Sequence, residues 1–433
     1  VSIVVMVKTN GKTTEELAKV YYKDVYGKRQ QKLSFLKENP LSGIAFKELQ
    51  PTAPLYTFRI VDHKTKEHYE NGFKIDKLMP HKVQGFTSDK DSIALQYSRD
   101  GIERIISLML SDKTDAELQE EVGFRDTRDW KLGHARKALE KKIQRERYIT
   151  EVQYRPFDTR WTYLDKVLVT YPRPLILNSV FKKDNQVLCI GQQGNVMGDN
   201  EWSLVYTSTL PTDKNIVPRG GIYLFPMFVY DGMLKYANFS YDILQETEKR
   251  TGLTLQDVDD KERKGNGFLA IDLIDYIYAV LHSVAYRDTY HDFLQNDFPV
   301  IPYPSTADYF FKMAELGKKL RMLHAMKGIE KTEIITTYPV AATKDNNVVL
   351  TRKFEETSEG IGRVWINKDQ YFDGVPSEAW NMVIAGYQPL DKWLKDRKDK
   401  HLTGEEIMHY QKMVVALVNT IRTQEEIDRM IEL

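Results

Sequence analysis

Between residues 150 and 230 the apolar and aromatic side chains come in short β-type runs cut by prolines and glycines, with helical periodicity on both sides. This change of texture limits the fold more than any other feature. The run Val187, Leu188, Cys189 and Ile190, closed by Gly191, is too short for a helix and too apolar for a loop. Pro156, Pro172, Pro174, Pro211, Pro218 and Gly220-Gly221 punctuate the segment as turns would. Helical patterns precede it at 112–123 and 130–147 and follow it at 268–283, 306–326 and 403–433. The last is opened by Thr403 with Glu406 three residues on, the pattern of a capping box. An α+β fold is expected, with a β-rich body flanked by helical segments. Four segments follow: 1–27, 28–149, 150–260 and 261–433. In the first, the apolar run 1–7 reads as a buried strand. Asn10-Gly11 then turns the chain into a second strand at 17–25, making a hairpin, and a short helix follows at 28–37.

Composition narrows the function classes. A chain of 433 residues exceeds one ordinary core. It contains no run of eighteen apolar residues, so no membrane contact is expected. The single cysteine, Cys189, excludes an internal disulfide and suits a reducing cytoplasm. With 62 basic and 62 acidic residues the net charge is zero, so bulk charge cannot drive binding to nucleic acid. Charge is segregated locally, however. Residues 131–147 hold seven basic side chains, Arg136 among them, against Glu140 and Glu146.

Catalytic signatures are missing. A transferase acting on a base amine needs a Pro-Pro-aromatic loop; the nearest string is Asn39-Pro40-Leu41. There is no glycine-rich loop for S-adenosylmethionine, no GxxxxGK[ST] for a nucleotide and no HExxH for zinc. Asp259, Asp260, Glu262 and Lys264 fit a metal-nuclease spacing only within one hydrophilic linker. His282 and His324 lie in apolar helical runs, where core or capping roles are expected. No catalytic, cofactor-binding or metal-binding residue is therefore assigned.

Residues suited to DNA are present. Base readout uses Arg, Lys, Asn and Gln held at groove edges, and phosphates are met by further cations. Arg155 and Arg160 stand among aromatics in the string YRPFDTRWTY, although Arg160 can equally pair with Asp158. Arg173 lies in Tyr-Pro-Arg-Pro and Arg219 in Pro-Arg-Gly-Gly. Gln192, Gln193 and Asn195 lie in a glycine-bounded loop rich in bidentate amides. We expect sequence to be read by that loop and by Arg173 or Arg219. Phosphates would be met by 131–147, including Arg136, and by 392–400, including Lys392, Arg397 and Lys398.

Several ordered strings carry a resemblance. They are VSIVVMVK at 1–8, KRQQKLSFL at 28–36, GFTSDKDSIAL at 85–95, FRDTRDWKLGHARKAL at 124–139 and YRPFDTRWTYL at 154–164. DYIYAVLHSVAYRDTYHDFLQNDFPVIPYP at 275–304, GRVWINKDQYF at 362–372, GYQPLDKWLKDRK at 386–398 and HYQKMVVALVNTI at 409–421 complete the set. With them the chain resembles the C-terminal part of Type ISP (single-polypeptide) restriction-modification enzymes and related adenine-specific DNA methyltransferases. The resemblance implies target recognition on double-stranded DNA, beside a methyltransferase domain of the same polypeptide that binds S-adenosylmethionine. It makes residues 1–8 the strand that ends the methyltransferase sheet, with the catalytic motifs upstream. The rival reading is a protein–protein docking module without direct base readout. Salt separates the two, because phosphate contacts weaken steeply with salt.

Overall fold

The computed structural model describes residues 3–8, 11, 18–25, 27, 29–51, 58, 63–192, 201–295, 297–339 and 346–433. Val1, Asn10, Leu17, Lys28, Gln193 and Asn195 lie outside the described residues. The chain divides into two compact units, 1–67 and 68–433.

In the first unit the helix Arg29–Glu38 lies between two short strands, Val20–Tyr22 and Lys47–Leu49, which pair antiparallel. This corrects the expected hairpin, since Val20–Tyr22 takes its partner from downstream and not from residues 3–7. Ile3 to Val7 form no strand and are 60–87% exposed. No described residue of this unit is buried, so a β-type run there has no core to face.

The second unit is built on two cores. The larger forms around the helix Ala270–His282, in which every residue from Asp272 onward is buried. A helix apolar on all sides must be enclosed. The helices Ala307–His324 and Gly404–Asp428 pack against it, as does a four-stranded antiparallel sheet. Gly317 permits the closest approach: a Cβ there would lie 1.8 Å from the carbonyl oxygen of Asp275. The capping box opening the long last helix forms as expected. Glu406 N–H donates to Thr403 Oγ1 (3.2 Å), and Thr403 N–H donates to Glu406 Oε2 (3.1 Å).

The sheet order is Val83–Gln84, Ile222–Pro226, Val187–Gly191, Val205–Ser208. Residues 187–191 and 205–208 are buried throughout, which explains the unbroken apolar run Val187 to Ile190. The smaller core forms where the helices Arg99–Met109, Asp115–Val122 and Leu132–Glu140 cover the hairpin Ile149–Arg155/Asp158–Tyr163. The expected helix over 130–147 stops at Glu140, and a separate 3-10 turn, Arg145–Tyr148, follows Gln144, whose backbone is left-handed (φ +53). Mixed helices and several small sheets give an α+β architecture. Among the described residues no helix is long and apolar enough to cross a membrane.

Candidate nucleic-acid interface

The arginines flanked by aromatics in the hairpin are committed inside the protein. Arg160 is 3% exposed, and its Nη1 donates to Asp158 Oδ1 (2.7 Å). Arg397 reaches the same carboxylate from far along the chain, with Nη1 to Oδ2 at 3.2 Å and Nη2 to Oδ1 at 3.1 Å. Its Nε donates to Glu406 Oε1 (2.9 Å). Arg155 Nη1 donates to Asp213 Oδ1 (3.1 Å). Aromatic faces line these cations: Arg155 over Tyr154 at 3.7 Å, Arg160 over Tyr97 at 3.8 Å and Arg397 over Trp393 at 3.6 Å. Lys392 pairs with Asp396. Burial raises the pKa of Asp158, but Arg160 and Arg397 more than offset it and hold the carboxyl below its usual range. Burial pushes Asp213 up to about 6, and Arg155 opposes this only in part.

Arg136 is also engaged. Its Nε donates to Met109 O (2.8 Å), Nη1 to Lys113 O (2.7 Å) and Asp115 Oδ1 (2.8 Å), and Nη2 to Ser111 O (2.5 Å). It thereby caps the carbonyl end of the helix Arg99–Met109, where free C=O groups and the helix dipole favour a cation. Lys131, Lys137, Lys141, Arg147 and Lys398 are exposed. A groove of about 560 Å³ lined by Arg99, Glu146, Arg147, Glu151, Lys182 and Trp161 carries both signs of charge.

A different set meets at one end of the four-stranded sheet. Gln84 pairs with Tyr223 and Gly191 with Ile222, so both lie where the strand Ile222–Pro226 begins. Gln192 follows Gly191, and Arg219 stands three residues before Ile222. Arg173 arrives from a separate segment. Backbone hydrogen bonds join Thr87 and Tyr171 in both directions at 3.2 Å, and Arg173 Nη2 then donates to Gln84 Oε1 (3.4 Å). Lys214 joins the group, since its N–H donates to Phe86 O (2.9 Å). Gly85 is needed there: a Cβ would lie 2.6 Å from the Lys214 nitrogen.

Arg173 and Arg219 both have left-handed backbones, at φ +59 and +65. Non-glycine residues rarely hold this conformation, and such strain gathers at functional sites. Arg219 is exposed, and Gln192 and Lys214 are half-buried. None of the three makes a side-chain hydrogen bond or ion pair among the described residues. Sequence reasoning nominated Arg173, Gln192 and Arg219 but missed Gln84 and Lys214. The one local signal was Gly85, which marks a close backbone approach beside Gln84.

Comparison with curated protein sequences gave no match. Among solved structures, the chain is similar to a nuclease-deletion mutant of the Type ISP restriction-modification enzyme LlaGI in complex with a DNA substrate mimic. The TM-score is 0.64 and the identity 18%, over 97% of this chain and 33% of that one. It is similar to a DrdV–DNA complex with TM-score 0.66 and 18% identity, over 94% and 43%. It is also similar to the ATP-dependent Type ISP restriction-modification enzyme LlaBIII bound to DNA, with TM-score 0.63 and 17% identity, over 94% and 27%. The chain thus spans less than half the length of each. At these identities the likeness concerns the fold. The sequence of residues 77–433 matches the Type ISP C-terminal specificity domain, and the chain belongs to that family.

Proposed function

We propose that this chain recognises a short sequence in double-stranded DNA, and reads it with the end of the four-stranded sheet. One observation carries the reading: Arg173, Gln192, Lys214 and Arg219 converge at that end with no carboxylate partner among the described residues. Arg and Gln are the side chains that pair bidentately with guanine and adenine edges. Arg155, Arg160, Lys392, Arg397 and Arg136 serve instead to fix the frame, because each is held by an internal carboxylate or carbonyl. Lys398 and the exposed cations of 131–147 supply phosphate contacts. Family membership and DNA-bound structural neighbours support this assignment.

In the parent protein the module would position an adenine for methylation in the cytoplasm. S-adenosylmethionine would be held by a methyltransferase domain of the same polypeptide. Residues 1–27 would end that domain, and 150–260 would carry the readout between segments 28–149 and 261–433. The exposed apolar run Ile3 to Val7 suits burial against such a domain.

The test is selection of randomised duplexes by the chain, followed by affinity measurements across salt concentrations. Arg219→Ala should weaken the selected site about 10- to 100-fold and leave unrelated duplexes nearly unchanged. Lys398→Glu should weaken all duplexes alike and lower the salt slope by about one. No enriched site, together with salt-independent affinity, would favour a protein-docking role and overturn the proposal.

A further inference from the structure

We infer that Gln84 is a specificity-determining residue: it positions Arg173 so that one base position accepts guanine. This rests on the DNA-reading assignment above. Gln84 lies on the strand Val83–Gln84, which is held by its neighbour Ile222–Pro226. Three residues later, the Thr87–Tyr171 bridge ties that segment to the one bearing Arg173. Both partners therefore sit on fixed backbone.

The contact itself is weak in geometry but specific in kind. Gln84 Oε1 accepts from Arg173 Nη2 at 3.4 Å, and the Tyr171 ring lies 5.4 Å from the guanidinium. Among the described residues Arg173 Nε is sealed from solvent without a hydrogen-bond partner, and Nη1 makes no hydrogen bond. The guanidinium is held at Nη2, and Nη1 with the second Nη2 hydrogen is left to give. Guanine offers two acceptors, O6 and N7, on its major-groove edge.

The chemistry of the holder decides whether the arginine stays available. Asp158 shows the other outcome: a carboxylate binds two guanidiniums and retains them within the protein. A neutral amide oxygen orients a guanidinium without cancelling its charge. Gln84 thus restrains Arg173 while leaving it free to meet a base.

The experiment is duplex selection with the full chain, its Arg173→Ala, Gln84→Ala and Gln84→Glu variants, and the double Arg173→Ala/Gln84→Ala. Arg173→Ala should abolish the preference for guanine at one position. Gln84→Ala should reduce preference at that same position about tenfold while binding to unrelated duplexes stays unchanged. It should add nothing in the Arg173→Ala background, as expected for two groups acting as one. Gln84→Glu should sequester Arg173 and match the effect of Arg173→Ala. A merely structural role would weaken all duplexes alike with the preference intact, and that result overturns the inference. So does an Arg173→Ala effect that neither Gln84 variant reproduces, which leaves DNA reading standing. A wild-type chain with no base preference at all overturns both.

Discussion

Asp158→Ala is expected to lower the free energy of unfolding by about 3–5 kcal/mol, the usual result of stripping one partner from a buried ion pair. Asp158 accepts from Arg160 and from two nitrogens of Arg397, and all three residues are buried. Without it two guanidiniums remain enclosed with most of their compensation gone. The network also joins remote parts of the fold. It links the strand Asp158–Tyr163 to the residues after the helix Pro389–Lys395, and through Glu406 to the long C-terminal helix. An exposed pair supplies the control. Asp259 is 82% exposed where it meets Lys235, so Asp259→Ala should cost no more than about 1 kcal/mol. Urea unfolding of the two variants at pH 7 makes the comparison. A loss below about 1 kcal/mol for Asp158→Ala would mean that the network does not hold the hairpin to the C-terminal region. The pH dependence has a definite sign. The folded pKa of Asp158 is depressed, so its stabilisation is present above the unfolded value near 3.8 and is lost as pH falls through the folded value.

This network also explains which parts of the sequence could be read. YRPFDTR and GYQPLDKWLKDRK stand out as strings, and the fold brings them together through Asp158 and Arg397, 239 residues apart. A sequence shows that an arginine is present but not which acceptor it will meet. Only the Arg160–Asp158 pair was visible, because its partners are two residues apart. Long-range commitments such as Arg155 to Asp213 depend on strand register and were hidden. Helices were legible where periodicity and caps coincide, as at Thr403 and in the apolar stretch that became Ala270–His282. The four-stranded sheet was only partly legible, since its edge strand Val83–Gln84 joins it from far upstream of the other three. The same long-range pairing placed Gln84 beside Arg173. No local pattern could have joined them.

The second large effect concerns acid. His324 lies in the main core between Tyr278 and Thr420, and its hydrogen bonds define a neutral ring. Tyr278 O–H donates to Nδ1 (2.5 Å), and Nε2–H donates to Thr420 Oγ1 (3.1 Å), whose own proton goes to Ala416 O (2.8 Å). Burial, helped by the charge of Arg287, lowers its pKa from 6.5 to about 3. His282, with its ring centroid 5.1 Å away, is pushed down by the same burial. Between pH 6.5 and about 3 the unfolded chain binds a proton at His324 that the folded chain does not. The stabilisation is therefore complete above about pH 6.5 and is lost as pH falls towards 3. Asp213 and Asp275 act oppositely. Burial raises each to about 6, so their contribution favours the folded state in acid and fades as pH rises from near 4 to 6. A variant removes this overlap, because both aspartates remain in each protein compared. His324→Gln should be less stable than the parent chain at pH 7, where it loses the shaped hydrogen bonds. That deficit should shrink by about 2 kcal/mol by pH 5, since glutamine has no proton to gain. Urea titrations of both proteins at pH 7, 6 and 5 measure the difference, and a deficit constant with pH would show that His324 is not held neutral by the fold.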